Sequence, residues 1–393
     1  MINTKNDVTY QKSRHFHLRW VKFFLCKILY SLLFLLFCLF CQNLPLEAKV
    51  TGNCSNCHTM HNSQNGETMI ILGPGEIDTS PKGNLLRASC LGCHSKTDGS
   101  TWKDPATGAP IVFNSQQPSY NSVMGLAGGN FYWVQTEDTY GHNIFPNNPD
   151  EILTVAPGAS YGVGCGLNSC HNNLYGTNTN FGTRQGCSKC HMMGNSSGPT
   201  GYHHINTNGT LVESADQGWY RFVAGHMSGD GYGVAGIEDS DWQQNPSASV
   251  HNEYLGWSAT KTSAGGFSSS GANVITAYCT GCHGNFHIEQ DASYVWIRHP
   301  SDAIVLNSGE FAVAFGASGG TGTYDPLIPV ARPSLSGWTG PSSTVTLGTD
   351  LVMCLSCHRA HASPYFKMLR WDYKSSTLST ALSGCNVCHT SKN

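Results

Sequence analysis

The sequence has little charge and few long apolar runs. Only 12% of its 393 residues are charged, and the formal net charge is -3. Beyond residue 50 Gly, Ser, Thr and Asn dominate, so aliphatic residues are too sparse for the strands of a doubly wound sheet or a TIM barrel. The charge also argues against a nucleic-acid-binding protein, because no basic stripe is present to neutralise phosphates. Something other than aliphatic side chains must fill the interior.

Residues 1–48 predict a signal peptide. A basic leader precedes an apolar run over 28–41, whose 14 residues are fewer than the roughly 20 that span a bilayer. Such a run is typical of a signal-peptide core, and the triplet Leu46-Glu47-Ala48 offers a cleavage site. The alternative is an uncleaved N-terminal anchor. Cleavage after Ala48 leaves residues 49–393, which contain no apolar run long enough to enter a membrane, and predicts an exported protein.

Cysteine and histidine are abundant, with 17 and 18 residues respectively. Three cysteines lie in the leader, and the other fourteen form seven pairs, each followed directly by a histidine. Six pairs have the spacing Cys-x-x-Cys-His, whereas four residues separate the two cysteines of the third. In chain order, sites 1 to 7 are Cys54/Cys57/His58, Cys90/Cys93/His94, Cys165/Cys170/His171, Cys187/Cys190/His191, Cys279/Cys282/His283, Cys354/Cys357/His358 and Cys385/Cys388/His389.

This pattern is the sequence signature of covalent c-type haem attachment. Two thiols a short loop apart can add to the two vinyl groups of one haem, and the next residue can then bind the iron as the proximal ligand. Disulfides, structural zinc sites and thioredoxin-like pairs do not require a histidine directly after the second cysteine. The sequence therefore predicts seven haem c groups, with no thiol left over in the mature chain.

Seven haems in 345 mature residues explain the shortage of aliphatic side chains. We expect an irregular, haem-cored multihaem cytochrome c, mostly coil with a few short α-helices and very little β. Helices are expected at attachment sites, notably within 354–373 and 378–389, and the alternating segment 343–347 favours a small hairpin. Residues 49–393 form one predicted domain. Haem pairs are expected near 54–94, 165–191 and 354–389, with a single site near 279–283.

Each iron needs a sixth ligand. Seven of the sixteen mature histidines are proximal, and nine remain as distal candidates: His61, His142, His203, His204, His226, His251, His287, His299 and His361. Nine histidines for seven positions favour bis-histidine ligation throughout, with two to spare; His226 and one of the His203–His204 pair are the expected spares. The alternative axial ligand is methionine, since Met60, Met192 and Met193 adjoin attachment sites. Bis-histidine iron has no open position and suits electron transfer.

His61 and His361 each lie three residues after a proximal histidine, His58 and His358 respectively. A tether this short keeps either side chain off the far face of the haem that its neighbour holds. Each must therefore serve another haem or none. Histidines tied in this way link neighbouring haems and set their spacing. His61, close to the mature N-terminus, is also well placed to reach a haem of a neighbouring subunit.

Several segments of the chain resemble a known family of cytochromes. They are CSNCHTMHNSQNG at 54–66, GIEDSDW at 236–242, HNEYLG at 251–256, IRHPSDA at 297–303 and CLSCHRAHASPYFKMLRWDY at 354–373. They are similar to the multihaem outer-surface cytochromes that polymerise into extracellular nanowires in metal-reducing bacteria, the hexahaem S-type and tetrahaem E-type proteins. The seven sites and the wider third spacing depart from that pattern. The resemblance implies stacked bis-histidine haems, alternating between parallel and T-shaped neighbours, in a row that continues across subunits.

The predicted function is long-range electron transfer by a helical homopolymer at or beyond the cell surface. Its partners would be copies of itself, with His61 as a ligand across the contact, and redox proteins or external acceptors such as metal oxides. No nucleic acid, catalytic residue or membrane span of the mature chain is expected. One alternative is a monomeric periplasmic electron carrier. The other is a multihaem reductase, which needs a five-coordinate haem and is disfavoured by the surplus of histidines.

Overall fold

The chain divides into two units, residues 1–47 and residues 48–393. In the first unit the computed structural model describes residues 26–29 and 31, which are helical and exposed. In the second it describes 90–119, 125–145, 186–191, 211–214, 217–223, 233–256, 273–280, 282–283, 303–374 and 384–391, with short strands or single residues between 53 and 78 and at 156–157, 174 and 203. Across these described parts, no helix combines the length and apolar character that crossing a membrane requires.

The helices are short, and most of them coincide with attachment sites. Five α-helices are described: α1 (Cys90–His94), α2 (Tyr132–Thr136), α3 (Ile275–Thr280), α4 (Cys354–Cys357) and α5 (Cys385–Cys388). The described 3-10 turns are Asp138–Tyr140, Gly186–Lys189, Tyr220–Phe222, Gly309–Gly316 and Phe366–Met368. Since two cysteines three positions apart lie on one face of a helix turn, the motif itself favours a single turn at each site. The predicted coil with short helices is confirmed.

The strands are two to four residues long. They are β1 (Ser63–Gln64), β2 (Glu67–Thr68), β3 (Ile70–Gly73), β4 (Glu76–Asp78), β5 (Ser95–Lys96), β6 (Phe113–Asn114), β7 (Leu211–Val212), β8 (Gly236–Ile237), β9 (Glu253–Leu255), β10 (Ala303–Ile304), β11 (Thr321–Thr323), β12 (Ala331–Arg332), β13 (Thr344–Thr346) and β14 (Leu351–Val352). Six of the described strands form one sheet in the order β10-β14-β12-β9-β8-β7. Within this sheet β12 and β9 pair in parallel, and the other described neighbours pair antiparallel. The sheet is made of pairings distant in sequence, which local patterns do not reveal.

The alternating segment 343–347 contains a strand, but the predicted small hairpin is wrong, because residues 324–343, which include β12 of the larger sheet, separate this strand from its partner β11. Within it, β13 pairs antiparallel with β11, and Val345 opposes Gly322. Val345 is buried, whereas Thr344 and Thr346 are exposed, so the period-2 pattern places one apolar side chain in the interior.

Three small apolar clusters lie against the attachment cysteines. The cluster around Phe315, Val330 and Trp371 packs against Cys357 and Cys388. A second, around Tyr254, Leu351 and Met353, packs against Cys279. A third, around Leu91, Phe131 and Phe145, packs against Cys187. Among the described residues, the aliphatic and aromatic core is therefore divided into patches that border the sites.

A buried ionic network joins the sheet to the segment after it. Glu253 of β9 accepts a hydrogen bond of 2.8 Å from Nε of Arg332 in β12, and Arg332 also pairs with Asp350. The backbone N–H of Ser342 donates to Glu253 over 2.8 Å. Burial alone would raise the pKa of Glu253, but hydrogen bonds from His251 and Arg332 outweigh it and lower that pKa. Because a charge left unpaired in the interior is costly, the network fixes the register of β9 against β12.

Candidate haem sites and their histidine pairs

Sites 2, 4, 5, 6 and 7 lie within the described residues, as does His58 of site 1. The described distal candidates are His142, His203, His251 and His361. The predicted ligands that lie outside the described residues are Cys54, Cys57, Cys165, Cys170, His171, His61, His204, His226, His287 and His299.

The second cysteines of sites 2 and 5 have different backbone surroundings. Cys93 lies inside the single turn α1 together with Cys90, as the motif spacing predicts. Cys282 lies beyond the end of α3, in a turn where its backbone N–H donates to the carbonyl of Cys279 at 3.1 Å. A helical turn therefore holds both cysteines at site 2, whereas at site 5 the helix ends before Cys282. Cys93 and Cys282 are both half-buried, and their role as thioether cysteines stays a prediction.

The proximal histidines are held by hydrogen bonds to the backbone. In four of them Nδ1 donates to a carbonyl oxygen: His94 to Pro110 at 2.8 Å, His191 to Arg221 at 2.9 Å, His283 to Pro157 at 2.8 Å and His358 to Lys367 at 2.9 Å. A proton on Nδ1 leaves Nε2 with its lone pair, which is the tautomer that binds a metal. In site 7, Nδ1 of His389 instead lies 3.3 Å from a carboxylate oxygen of Glu310.

Burial keeps the proximal imidazoles of sites 2, 4, 5 and 6 neutral. Desolvation lowers the pKa of His283 to about 4 and that of His361 to about 3, with neighbouring histidines adding to the effect. It also lowers the pKa values of His94, His142, His191 and His358. A neutral imidazole is the form that a metal requires.

Three described pairs of histidines have the separation of two axial ligands on one iron. A histidine nitrogen binds a metal at about 2 Å, and a further 1 Å or so from each nitrogen to its ring centre gives about 6 Å between the ring centres. The observed separations are 6.2 Å for His94 and His203, 6.1 Å for His142 and His283, and 6.0 Å for His191 and His361. Each pair joins one proximal histidine to one distal candidate. The residues therefore fit haem iron at sites 2, 5 and 4.

His142 and His361 are placed by the same stretch of backbone. The N–H of His142 donates to the carbonyl of His361 at 2.9 Å, and Nδ1 of His142 donates to Ala360 at 2.7 Å. The loop after site 6 thus carries His358 for its own site, positions His361 beside His191 of site 4, and holds His142 beside His283 of site 5. Three sites are tied together through one loop.

Gly128 and Phe131 form a cradle for His361 that the sequence did not reveal. The Phe131 ring stacks on the imidazole with 4.5 Å between ring centres. A Cβ atom on Gly128 would lie 2.8 Å from Nδ1 of His361, so only glycine leaves room for this imidazole position. With 44 glycines in the chain, nothing in the local sequence singles out Gly128.

His251 has a different environment from the three paired candidates. Its Nδ1 lies 3.0 Å from the carbonyl oxygen of Ser247, and its Nε2 lies 3.1 Å from Glu253. The ring stacks on Tyr324 with 3.5 Å between centres, and the residue is 1% exposed. Both ring nitrogens lie within hydrogen-bond distance of an oxygen atom, so neither nitrogen is available to bind iron. The contact with Glu253 connects His251 to the ionic network of the sheet.

The described attachment sites lie next to one another in the order 2, 4, 5, 6, 7. The Cys90 thiol of site 2 hydrogen-bonds to Cys187 of site 4, and Cys279 of site 5 does so to Cys354 of site 6. Site 5, isolated in sequence, therefore lies beside site 6 in space.

The other two links in this order are a hydrogen bond between sites 4 and 5 and an electrostatic interaction between sites 6 and 7. The Tyr278 hydroxyl, next to Cys279, donates to the carbonyl of Cys190 in site 4 at 3.0 Å. Burial, followed by the nearby thiols of Cys385 and Cys388 in site 7, raises the pKa of Cys357 in site 6 to about 12. Successive described motifs are therefore neighbours in space.

No known protein-family model matches the chain. The curated protein C-type cytochrome OmcS of Geobacter sulfurreducens is 27% identical over 395 residues, which cover 86% of this chain and 83% of OmcS. Two solved structures of that cytochrome also match. The outer-membrane cytochrome S filament has a TM-score of 0.47 and 19% identity over 85% of this chain and 88% of its own. The OmcS nanowire structure has a TM-score of 0.41 and 21% identity over 82% of this chain and 84% of its own. The chain is thus similar in sequence to a c-type cytochrome over most of both chains.

Proposed function

We propose that the chain is an exported seven-haem c-type cytochrome that carries electrons over long distances as a helical extracellular filament. The observation that carries the proposal is the set of three histidine pairs with ring centres 6.0 to 6.2 Å apart, each of which includes the histidine of one Cys-x-x-Cys-His motif. Bound haem supplies reversible one-electron chemistry at iron. The chain supplies the thioether cysteines, two imidazoles at each iron and the spacing between sites.

Elimination reduces the candidates for the distal ligands of the remaining four sites to five histidines. Sites 2, 4 and 5 use His203, His361 and His142, and His251 is engaged elsewhere. Four sites then share five candidates: His61, His204, His226, His287 and His299. His251 is then one of the two spare histidines that counting alone predicts, and one of these five is the other. Bis-histidine ligation throughout leaves no open iron position, which favours electron transfer over reductase chemistry.

Assembly into a filament is supported by the sequence similarity to OmcS, whose solved structures are a filament and nanowires. A head-to-tail contact that does not close generates an open helical polymer. We infer that His61 supplies the ligand across this contact, because its tether to His58 keeps it from the haem of site 1. Residues 1–48 would direct export and be removed. Redox proteins or external acceptors such as metal oxides would receive the electrons.

Mass spectrometry and microscopy of the purified mature protein test this proposal. The intact mass should correspond to residues 49–393 with seven covalent haems, the oxidised spectrum should be free of high-spin iron, and negative-stain images should show filaments. A mass with six haems would remove site 3. Particles that remain monomeric at all concentrations would support the periplasmic carrier, and a high-spin fraction in the wild type would support the reductase.

A further inference from the structure

Site 7 differs from the other described sites in the partner of its proximal histidine. His94, His191, His283 and His358 each donate Nδ1–H to a neutral backbone carbonyl. In His389 the partner is the Oε1 atom of Glu310, at 3.3 Å. A carboxylate partner makes an imidazole a more basic, more electron-donating ligand than a carbonyl does.

Glu310 is itself held in place on both sides. The Ser391 hydroxyl donates to its second carboxylate oxygen at 2.8 Å, and the Thr390 hydroxyl donates to its backbone carbonyl. The neighbouring Phe311 meets the His389 ring edge-on, with 5.2 Å between ring centres. The turn Gly309–Gly316 and residues 389–391 therefore pack against each other on either side of the imidazole. This arrangement fixes the direction of the Nδ1–H bond.

We propose that Glu310 is a positioning residue that lowers the reduction potential of haem 7 through its hydrogen bond to His389. The inference rests on the proposed function, since it requires His389 to bind iron through Nε2. A carboxylate on Nδ1–H stabilises the ferric form, which carries the additional positive charge, more than the ferrous form. Second-shell bonds and local charge are established levers on haem potential.

The geometry also sets the scale of the effect. The distance of 3.3 Å is at the long end for an N–H···O bond, and the side chains of His389 and Glu310 are 29% and 21% exposed, so water screens part of the charge. We therefore take the lower end of second-shell effects, about a tenfold change in the preference of the site for ferric iron, which corresponds to about 59 mV for one electron.

The position of site 7 at one end of the described row determines which electron-transfer step the lowered potential affects. Cys357 of site 6 lies near Cys385 and Cys388, so site 7 stands at one end of the described order 2, 4, 5, 6, 7. A haem at an end of the row exchanges electrons with whatever follows it. Glu310 would thus set the energy of the step that enters or leaves the described row at that end.

Potentiometric titration of the full-length mature cytochrome, followed by absorbance and low-spin EPR, tests the proposal. Glu310→Gln keeps an oxygen acceptor and removes the charge, and Glu310→Ala removes both. In each variant one haem of seven should titrate at higher potential, by about 59 mV in the alanine variant and by less in the glutamine variant. Glu213→Gln removes an exposed carboxylate elsewhere and should leave the curve unchanged.

Two outcomes would overturn the proposal. In the first, both Glu310 variants keep seven low-spin haems and titrate as the wild type does. In the second, Glu310→Gln loses the haem on Cys385 and Cys388, which would assign Glu310 a purely structural role. Failure of the proposed function is seen separately, as a wild-type peptide containing Cys385 and Cys388 that carries no haem.

Discussion

Replacement of His361 by alanine should convert one of the seven haems to the high-spin state. The His361 ring lies 6.0 Å from that of His191, and in the described structure it is the distal imidazole beside site 4. Removing it leaves His191 as the single protein ligand of that iron. About one-seventh of the iron should then show high-spin absorption and EPR signals, while all seven thioether attachments persist. Loss of the stack on Phe131 should cost a further 0.5–1.5 kcal/mol or so of folding free energy.

His251→Ala is the matched control for this variant. His251 is also a distal candidate by sequence, but both of its ring nitrogens are bound to Ser247 and Glu253. Its removal should lower the free energy of unfolding by about 1–3 kcal/mol, because Glu253 loses a buried hydrogen-bond partner. It should produce no high-spin iron. A high-spin haem in His251→Ala, or a fully low-spin spectrum in His361→Ala, would refute the assignment of these two histidines.

Further variants test the surrounding structure. Gly128→Ala should displace the His361 imidazole, because the new Cβ would lie 2.8 Å from Nδ1, and should raise the high-spin fraction; an unchanged EPR spectrum would contradict the cradle. Cys165→Ala with Cys170→Ala should reduce the intact mass by one haem, and an unchanged haem count would show that site 3 is not an attachment site. Arg332→Leu strands two buried carboxylates and should lower the urea-unfolding free energy by about 3–5 kcal/mol. Lys96→Met removes the half-exposed pair with Asp104 and should cost about 0–1 kcal/mol, so similar losses in these two variants would contradict the burial argument. His61→Ala should leave one haem high-spin and weaken polymerisation without loss of attached haem; normal filaments with all iron low-spin would exclude the bridge.

The attachment chemistry could be predicted from sequence because it is local. The two cysteines and the histidine of a site lie within a few residues, so their spacing alone identifies the site and favours the single helical turn seen at Cys354–Cys357 and Cys385–Cys388. The placement of His361 could also be predicted in part, because it depends on a short stretch of chain. The tether to His358 indicated that His361 serves another site, and its ring lies beside His191.

The pairing of distant residues could not be predicted from sequence. His191 and His361 are 170 positions apart, and β9 pairs with β12 through Tyr254 and Ala331, which are also distant in sequence, so no local periodicity connects them. A count of histidines also treats His251 and His361 as equivalent. Only the structure shows that His251 has Glu253 as a neighbour while His361 faces a proximal imidazole. Likewise, nothing in the sequence connects Glu310 with His389, which lie 79 residues apart.

A cryo-electron microscopy structure of the haem-loaded protein as it assembles from solution would test the central claim most directly. We predict an open helical polymer with seven haems per subunit, in which sites 2, 4, 5, 6 and 7 follow one another in a row. His203, His142 and His361 should be the sixth ligands of sites 2, 5 and 4, and the row should continue into the next subunit through His61. A closed or monomeric particle, or an iron with an open coordination position, would contradict the account.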